Sequence, residues 1–307
     1  MREHPATVLL AQLEPLTNDV ISSAHVVGEL LSEHDVDLAV FPELFLNGNS
    51  LDFVHESAVS VGSQAVRRLR DAARRSHTAV IVGVAERSFG FPSDAALCID
   101  EVGEVAGIYR KVHLAEAEQR HIRPGSSFTV VPLAGLRVAP LMAEDLAYPE
   151  ATRAVARAGT DLLVTIAASE DRDAEERAVF VRARAIENRL PHVYVNRVGE
   201  ESGRRYGGES TVVDASGASL VTLVPSRPDI RVAEVPIGDI VEPDYPRRSR
   251  GEVAVSSATE RAVDAVTVDQ DELTGVDRSA RVLNRPPREP GEPAEVAGGP
   301  RSAPRAG

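Results

Sequence analysis

The sequence predicts an α/β fold, with strands and helices alternating through one domain over residues 1–246. Short apolar segments alternate with stretches of helical spacing along most of the 307 residues. This order of elements is typical of layered α/β domains of about 240 residues. Hydrophobic residues make up 43% of the chain, which is enough for a sizeable core.

The first half of the chain carries five predicted strands and two predicted helices. Thr17 or Asn18 can cap the first helix, because a short polar side chain accepts hydrogen bonds from the first turn. The near-continuous apolar run at 37–41 is typical of a buried strand, and Glu101–Gly103 supply a hairpin turn. The predicted strands are 6–13, 37–41, 78–86, 96–100 and 105–110, and the predicted helices are 18–32 and 63–77.

The second half continues the alternation. A strand at 136–143 precedes a helix at 148–159 that Gly159 ends, and a strand at 161–167 precedes a helix at 172–190. That last helix carries a stripe of small apolar residues at helical spacing: Ala174, Ala178, Val181 and Ala185. The segments HVYVN, STVVD, SLVTLV and IRVAEV are predicted to be further strands.

The C-terminal end differs in composition from the rest of the chain. Residues 247–270 are an extension whose structure the pattern leaves ambiguous. Residues 271–307 are rich in Pro, Gly, Arg and Glu and have few large apolar residues. Such a segment cannot bury enough surface to offset its ordering entropy, so we expect a disordered tail.

Charge and cysteine content limit the classes of partner. Lys plus Arg is 34 and Asp plus Glu is 47, giving a formal net charge of -13. An acidic protein of this kind does not favour nucleic acid or anionic membranes. No apolar run is long enough for a membrane span, and the N-terminus resembles a first strand more than a signal peptide. The single cysteine, Cys98, excludes an intramolecular disulfide and fits a cytoplasmic protein.

Three segments place chemically useful residues where predicted strands end. VFPELF (40–45) carries Glu43 at the rim of the sheet, where desolvation would raise its pKa toward that of a general base. YRKVHL (109–114) carries Lys111, which would be a fixed positive charge if buried. LMAEDLAYPE (141–150) is a strand–turn–helix junction, whose N–H groups can hold an oxyanion. Taken singly, each segment fits an ordinary solvated residue or connection better.

Taken together, the three segments resemble the nitrilase (carbon–nitrogen hydrolase) superfamily, which uses a Glu–Lys–Cys constellation. The resemblance covers roughly residues 6–240 and includes RARAIENRLPHVYVN (182–196) and GGESTVVDASG (207–217). It implies that Glu43 is the general base and that Lys111 stabilises the tetrahedral intermediate. It also implies that Glu118 is a second glutamate of the site. The implied fold is a four-layer αββα sandwich, with no cofactor or metal and with a homodimer or larger homo-oligomer as the assembly.

The chain departs from the family pattern at the position of the nucleophile. Counting back from Tyr148–Pro149–Glu150, the cysteine position falls on Ala143, whose methyl group cannot attack a carbonyl. The backbone N–H of Glu144 would belong to the oxyanion site, while strand alternation points the Glu144 side chain elsewhere. The resemblance implies that Asp145 orients the turn.

Other catalytic and metal-binding arrangements are weaker. Cys98 lies in an apolar strand and is interpreted as a buried hydrophobe. His113 and His121 flank Glu116 and Glu118, but this spacing lies in a predicted loop, so solvated polar residues are the favoured interpretation. The sequence contains no GxSxG, HExxH, CxxC, GxGxxG or Walker motif.

Three functional hypotheses remain open at this point. The first is an amidase-type hydrolase for a small non-peptide amide, inactive or severely impaired because Ala143 replaces the nucleophile. The second is a natural pseudoenzyme that binds a small amide or a carboxylate-bearing ligand, or serves as a regulatory or partner subunit. The third is residual hydrolysis by a water that Glu43 activates. The genomic codon for residue 143 separates the second hypothesis from a deliberate cysteine-to-alanine change.

Overall fold

The computed structural model of the protein describes residues 4–88 and 90–238. The predicted extension at 247–270 and the predicted tail at 271–307 lie outside these residues. The strands are β1 (Ala6–Gln12), β2 (Leu38–Val40), β3 (Ala79–Glu86), β4 (Ser93–Ile99), β5 (Val105–Arg110), β6 (Val131–Leu133), β7 (Leu136–Met142), β8 (Leu162–Ala167), β9 (His192–Asn196), β10 (Val198–Glu201), β11 (Arg204–Gly207), β12 (Thr211–Val213), β13 (Ser219–Thr222) and β14 (Asp229–Val235). The helices are α1 (Val20–Glu33), α2 (Val54–Ser57), α3 (Gln64–Ser76), α4 (Pro149–Arg157) and α5 (Ala174–Asn188).

Two mixed six-stranded sheets form the centre of the described region. The first has the strand order β14-β1-β2-β3-β4-β5, and the second has the order β13-β12-β9-β8-β7-β6. Strands β1, β2 and β3 are parallel in the first sheet, as are β7, β8 and β9 in the second. Such strands are covered on both faces, which explains their almost uninterrupted apolar sequences.

The two sheets pack face to face and carry helices on their outer faces. Apolar side chains of both sheets, among them Leu10, Val40, Val138 and Val164, form one core between them. Helices α1 and α3 cover the outer face of the first sheet through a second core. Smaller apolar clusters join α5 and α4 to the outer face of the second sheet. The predicted α/β class and four-layer αββα sandwich are therefore confirmed.

Several element boundaries differ from the predicted ones. Asp19 caps α1, with its carboxylate 3.0 Å from the N–H of Ser22, whereas Asn18 has a positive φ of 59° and cannot take that role. Strand β4 begins at Ser93 and not at residue 96. The hairpin β10–β11 was not predicted, because Glu200, Glu201, Arg204 and Arg205 give it a polar sequence.

The carboxyl ends of the parallel strands lie at one end of the sandwich. The chain leaves β2 toward Glu43, β7 toward Ala143 and β8 toward Ala168. Lys111 follows β5 directly. Among the described residues, no helix is both long enough and apolar enough to cross a membrane.

Candidate active site

Lys111 is the centre of a buried group of charged side chains. Its Nζ lies 2.7 Å from Oε1 of Glu43 and 2.8 Å from Oε1 of Glu118. Oδ2 of Asp94 is 3.9 Å from the same nitrogen. All four side chains are buried. Lys111 is also the only lysine in the chain, so every other basic side chain apart from histidine is arginine.

A backbone N–H group donates a second hydrogen bond to each of the two glutamates. The N–H of Ala168 donates to Oε2 of Glu43 over 2.8 Å, and the N–H of Ala115 donates to Oε2 of Glu118 over 2.8 Å. Each carboxylate thus accepts one hydrogen bond from Lys111 and one from the backbone. Both glutamates are therefore held in fixed orientations, as a preorganised site requires.

The turn that carries Glu43 depends on a close backbone approach. Leu44, the next residue, has a positive φ of 50°. A Cβ atom at Gly83 would lie 2.3 Å from both the carbonyl oxygen of Pro42 and the nitrogen of Leu44. Only glycine at position 83 lets β3 pass this turn, so Gly83 helps to fix Glu43.

Ionisation in the group follows from burial and from the single positive charge. Burial alone would raise the pKa of Glu43, but the adjacent Lys111 ammonium holds that pKa below its usual value. The expected upward shift of the Glu43 pKa is therefore wrong. Burial disfavours the charged form of Lys111, yet Glu43 and Glu118 raise its pKa well above the usual range. The lysine and its closest glutamate are an ion pair.

Ala143 faces the same cavity as the charged group. The cavity has a volume of about 200 Å³ and is lined by the buried residues Glu43, Lys111 and Glu118, together with Ala143 and the exposed residue Glu144. Residues 143–147 form a 3₁₀ turn after β7, so strand alternation does not continue past Met142. The expectation for the Glu144 side chain assumed strand alternation, so it does not apply to this turn; Glu144 is an exposed residue that lines the cavity. The N–H of Glu144 lies in the first turn, where N–H groups lack partners within the helix.

Asp145 holds this turn in place. Its carboxylate is fully buried and accepts from Tyr109 Oη at 2.6 Å, from the N–H of Met142 at 3.0 Å and from Nδ1 of His113 at 2.8 Å. The His113 ring also stacks on Tyr148, with 3.6 Å between ring centroids. The interpretation of His113 as a solvated residue is therefore wrong, because it is part of the packing around the turn.

The outer part of the cavity is polar and its arginines are engaged by acids. Nη2 of Arg172 lies 3.1 Å from Oε1 of Glu170, and Nε of Arg204 lies 3.8 Å from the same oxygen. Asn49, Ser169 and Asp173 complete this part of the wall. The cavity therefore presents no cluster of unopposed positive charge among its described lining residues.

Neither Cys98 nor the acidic side chains beside Lys111 are placed for nucleophilic or metal chemistry. Cys98 is fully buried in the core between the sheets, and burial raises the pKa of its thiol to about 12. Among the described residues, Glu43, Asp94 and Glu118 are the acidic group compact enough to hold a metal ion. The Lys111 ammonium already lies among these three carboxyl groups, at the position a cation would take.

Asp94 is the member of the group that the sequence analysis missed. It shares one face of β4 with Ala96 and Cys98, which both belong to the core between the sheets. Because alternate residues of a strand share one face, an aspartate two residues before the apolar Ala96 and Cys98 could have indicated a buried carboxyl group. It was overlooked because the strand was predicted to begin at residue 96, three residues after its observed start.

Comparison with known proteins agrees with this geometry. Residues 8–243 match the family model for carbon-nitrogen hydrolases. An (R)-stereoselective amidase from a Pseudomonas species is 34% identical over 192 residues, covering 61% of this chain and 68% of the relative. A probable nitrilase of Schizosaccharomyces pombe is 27% identical over 228 residues, covering 71% and 84%.

A solved structure gives the same result for the fold. A cysteine-to-alanine mutant of the amidase from Nesterenkonia sp. AN1, in complex with butyramide, superimposes with a TM-score of 0.70 at 27% identity. The match covers 77% of this chain and 93% of that one. The sequence and structural matches therefore extend over most of the αββα sandwich.

Proposed function

The chain belongs to the carbon–nitrogen hydrolase family, and from this premise we propose that it is an amidase-type scaffold that binds a small amide without cleaving it. The observation that carries the proposal is the position of Ala143. Its methyl group lines the cavity that Glu43, Lys111 and Glu118 also line, and it stands where the sequence motif calls for a cysteine.

The surrounding residues are suited to the chemistry that Ala143 lacks. With a thiol at position 143, Glu43 would accept its proton and the thiolate would attack the amide carbon. Lys111 and the N–H of Glu144 would stabilise the oxyanion, ammonia or an amine would leave, and water would hydrolyse the thioester. A methyl group supports none of these steps, and losing a nucleophile costs roughly a millionfold in turnover.

A relative supports the view that such a pocket still binds an amide when its cysteine is replaced by alanine. The Nesterenkonia amidase has an active-site cysteine that reacts covalently, and its cysteine-to-alanine mutant was solved with butyramide. By analogy, we infer that the cavity of the present chain takes an intact aliphatic amide of similar size. The volume of about 200 Å³ fits a ligand of a few carbon atoms.

The charges at the mouth favour an uncharged ligand over an anionic one. Arg172 and Arg204 would be the residues to bind a ligand carboxylate, but Glu170 lies against both. Glu144 adds a further carboxyl group to the lining of the cavity. A carboxylate-bearing ligand would therefore have to displace Glu170, whereas a neutral amide would not.

Calorimetry on the unaltered chain tests the proposal. We expect saturable binding of butyramide, weaker binding of butyrate, and full recovery of the amide after prolonged incubation. Ala143→Leu is the matched control, because its larger side chain fills the inner end of the cavity and should abolish binding. The proposal is wrong if no small amide binds, or if the unaltered chain releases ammonia above the buffer rate.

A regulatory or partner-subunit role is the second candidate. The observation that favours it is that both glutamates keep their hydrogen bonds to Lys111 and to the backbone although position 143 lacks a nucleophile. A genomic codon for alanine at 143, together with amide-dependent capture of a second protein, would support this role. A genomic codon for cysteine would exclude it.

Assembly and location are further parts of the proposal. A homodimer or larger homo-oligomer is supported by apolar side chains on α5 that face solvent, such as Val179, which is 64% exposed. Light scattering of the unaltered chain and of Val179→Glu tests this, since a monomer in both cases contradicts it. A cytoplasmic location is supported by the single buried cysteine, and cell fractionation tests it.

A further inference from the structure

Asp94 has no hydrogen-bond donor although its carboxyl group is buried. The residue is 1% exposed, and neither carboxyl oxygen accepts a hydrogen bond from any described residue. Its nearer oxygen is 3.9 Å from Nζ of Lys111, which is beyond hydrogen-bond distance. An ionised carboxylate in this position would be buried without the donors that normally stabilise it.

The other two carboxyl groups of the cluster are in a different situation. Glu43 and Glu118 each accept one hydrogen bond from Lys111 and one from a backbone N–H. Oxygen atoms of these two residues and of Asp94 all lie within 4.8 Å of one another. If all three groups were ionised, three negative charges would face a single ammonium group, and this net charge would be buried.

One proton retained by the cluster removes most of this cost. Glu43 and Glu118 use both of their oxygens as acceptors, so Asp94 is the group that can carry the proton. A protonated carboxyl group gains an O–H donor, and the carboxylate of Glu43 is beside it. We propose that Asp94 is a positioning residue whose carboxyl group stays protonated at neutral pH and donates a hydrogen bond to Glu43.

The electrostatic surroundings agree with this assignment. Burial, followed by the negative charge of Glu43, raises the pKa of Asp94 well above its usual range, while Lys111 opposes the shift. The contact with Asp94 is in turn one cause of the lowered pKa of Glu43. The titratable groups that face Asp94 are Glu43 from the turn after β2, Lys111 after β5 and Glu118 from the 3₁₀ turn at 118–120.

The hydrogen bond would give Asp94 a role in the chemistry of the site. It would hold Glu43 in one orientation and in its ionised form, ready to accept a proton from a group at position 143. Ionisation of Asp94 at high pH would remove that hydrogen bond and add a second charge beside Glu43. This role rests on the proposed function, whereas the protonation state does not.

Proton linkage tests the protonation state without any turnover. Asp94→Asn keeps the shape and a donor but cannot titrate. A raised folded-state pKa means that the unfolded chain releases the Asp94 proton first as pH rises. The unfolding equilibrium constant of the unaltered chain should therefore increase, relative to that of Asp94→Asn, up to tenfold per pH unit from about pH 4 upward. Parallel curves, or a relative decrease, would overturn the proposal.

The single lysine provides a second measurement, made on the folded protein. Labelling with ¹⁵N-lysine gives one side-chain ammonium resonance, that of Lys111. The proposal predicts no step that depends on Asp94 in its chemical shift between about pH 3 and 7, an interval that contains the ordinary titration range of Asp. A step in this interval that is missing in Asp94→Asn would show that Asp94 ionises there, and would overturn the proposal.

The positioning role is tested separately in an Ala143→Cys background. We expect Asp94→Ala to lower kcat more than Asp94→Asn does, because only asparagine keeps a donor toward Glu43. The alkaline limb of the kcat profile should move to higher pH in Asp94→Asn. Equal loss of kcat in both variants, or an alkaline limb at the same pH, would refute the role. If no Ala143→Cys form turns over, the proposed function fails, and linkage and the lysine resonance still decide the protonation state.

Discussion

Two strand-to-turn junctions meet at the cavity, and they differ in what they retain. After β2, Glu43 has both carboxylate oxygens hydrogen-bonded and is paired with Lys111. After β7, the turn is held equally well by Asp145, yet the residue that faces the cavity is Ala143. The comparison teaches that the turn after β7 does not need a nucleophilic side chain at position 143 to keep its conformation.

Removing the positive charge of Lys111, which pairs with Glu43 at the first junction, should have the largest effect on the free energy of unfolding. Lys111→Met leaves the carboxylates of Glu43 and Glu118 buried without their shared cation. Breaking a buried ion pair from one side typically costs about 3–5 kcal/mol, and we expect a loss of that size. Urea denaturation followed by circular dichroism measures it.

Arg74→Met is the matched control for this prediction. Its guanidinium group pairs with Asp71 and Glu104 at the surface and is 52% exposed. Exposed pairs contribute at most about 1 kcal/mol, so this variant should remain close to the unaltered chain. Equal losses in both variants would mean that the Lys111 group is not a buried, coupled unit.

Weakening the second junction should have a smaller effect. Asp145→Asn keeps the size of the side chain but turns one accepting oxygen into an amide donor. At least one of the donors from Tyr109, Met142 and His113 then loses its acceptor in a buried place. We expect a loss of about 2–3 kcal/mol in the free energy of unfolding.

Asp35→Asn is the control for the Asp145 variant, because Asp35 is exposed. It should change the free energy of unfolding by less than about 0.5 kcal/mol, as is usual for surface sites. Should Asp145→Asn prove as stable as this control, Asp145 would not be what holds the turn at the second junction.

Acid pH should produce the smallest of these changes in the free energy of unfolding, through protonation of Glu43 at the first junction. The folded-state pKa of Glu43 is lowered, so its contribution to stability is present above the unfolded-state pKa and is lost as pH falls through the folded value. Relative to Glu43→Gln, the unaltered chain should lose up to about 1.4 kcal/mol per pH unit below about pH 4. Thermal unfolding of both proteins between neutral and acid pH measures this difference. A constant difference would contradict the assignment of an ionised Glu43.

The sequence predicted the layers better than the details of the junctions. Apolar runs such as those of β3 and β8 identify buried parallel strands on their own, because both faces are covered. The gathering of Glu43, Lys111 and Glu118 followed only from a family resemblance, since sequence spacing does not report distances across loops. Their residue numbers could be named, but their hydrogen bonds could not.

Two features escaped the sequence for physical reasons. Glu144 lines the cavity from a 3₁₀ turn that follows Met142, and such a change of period at the end of a strand has no clear sequence signal. The lowered pKa of Glu43 depends on Lys111, whose approach to 2.7 Å is a tertiary contact. Burial alone would have given the opposite direction.

The most direct test of the central claim is ammonia release from small amides by the unaltered chain and by Ala143→Cys, with Ala143→Cys/Glu43→Gln as control. The account predicts no release above buffer by the unaltered chain, and turnover by Ala143→Cys. Turnover should be lower by roughly 10²–10⁴-fold in the double variant, as expected for loss of a general base. If folded Ala143→Cys cleaves no amide, or if the unaltered chain cleaves one, the claim that this site lacks only its nucleophile is contradicted.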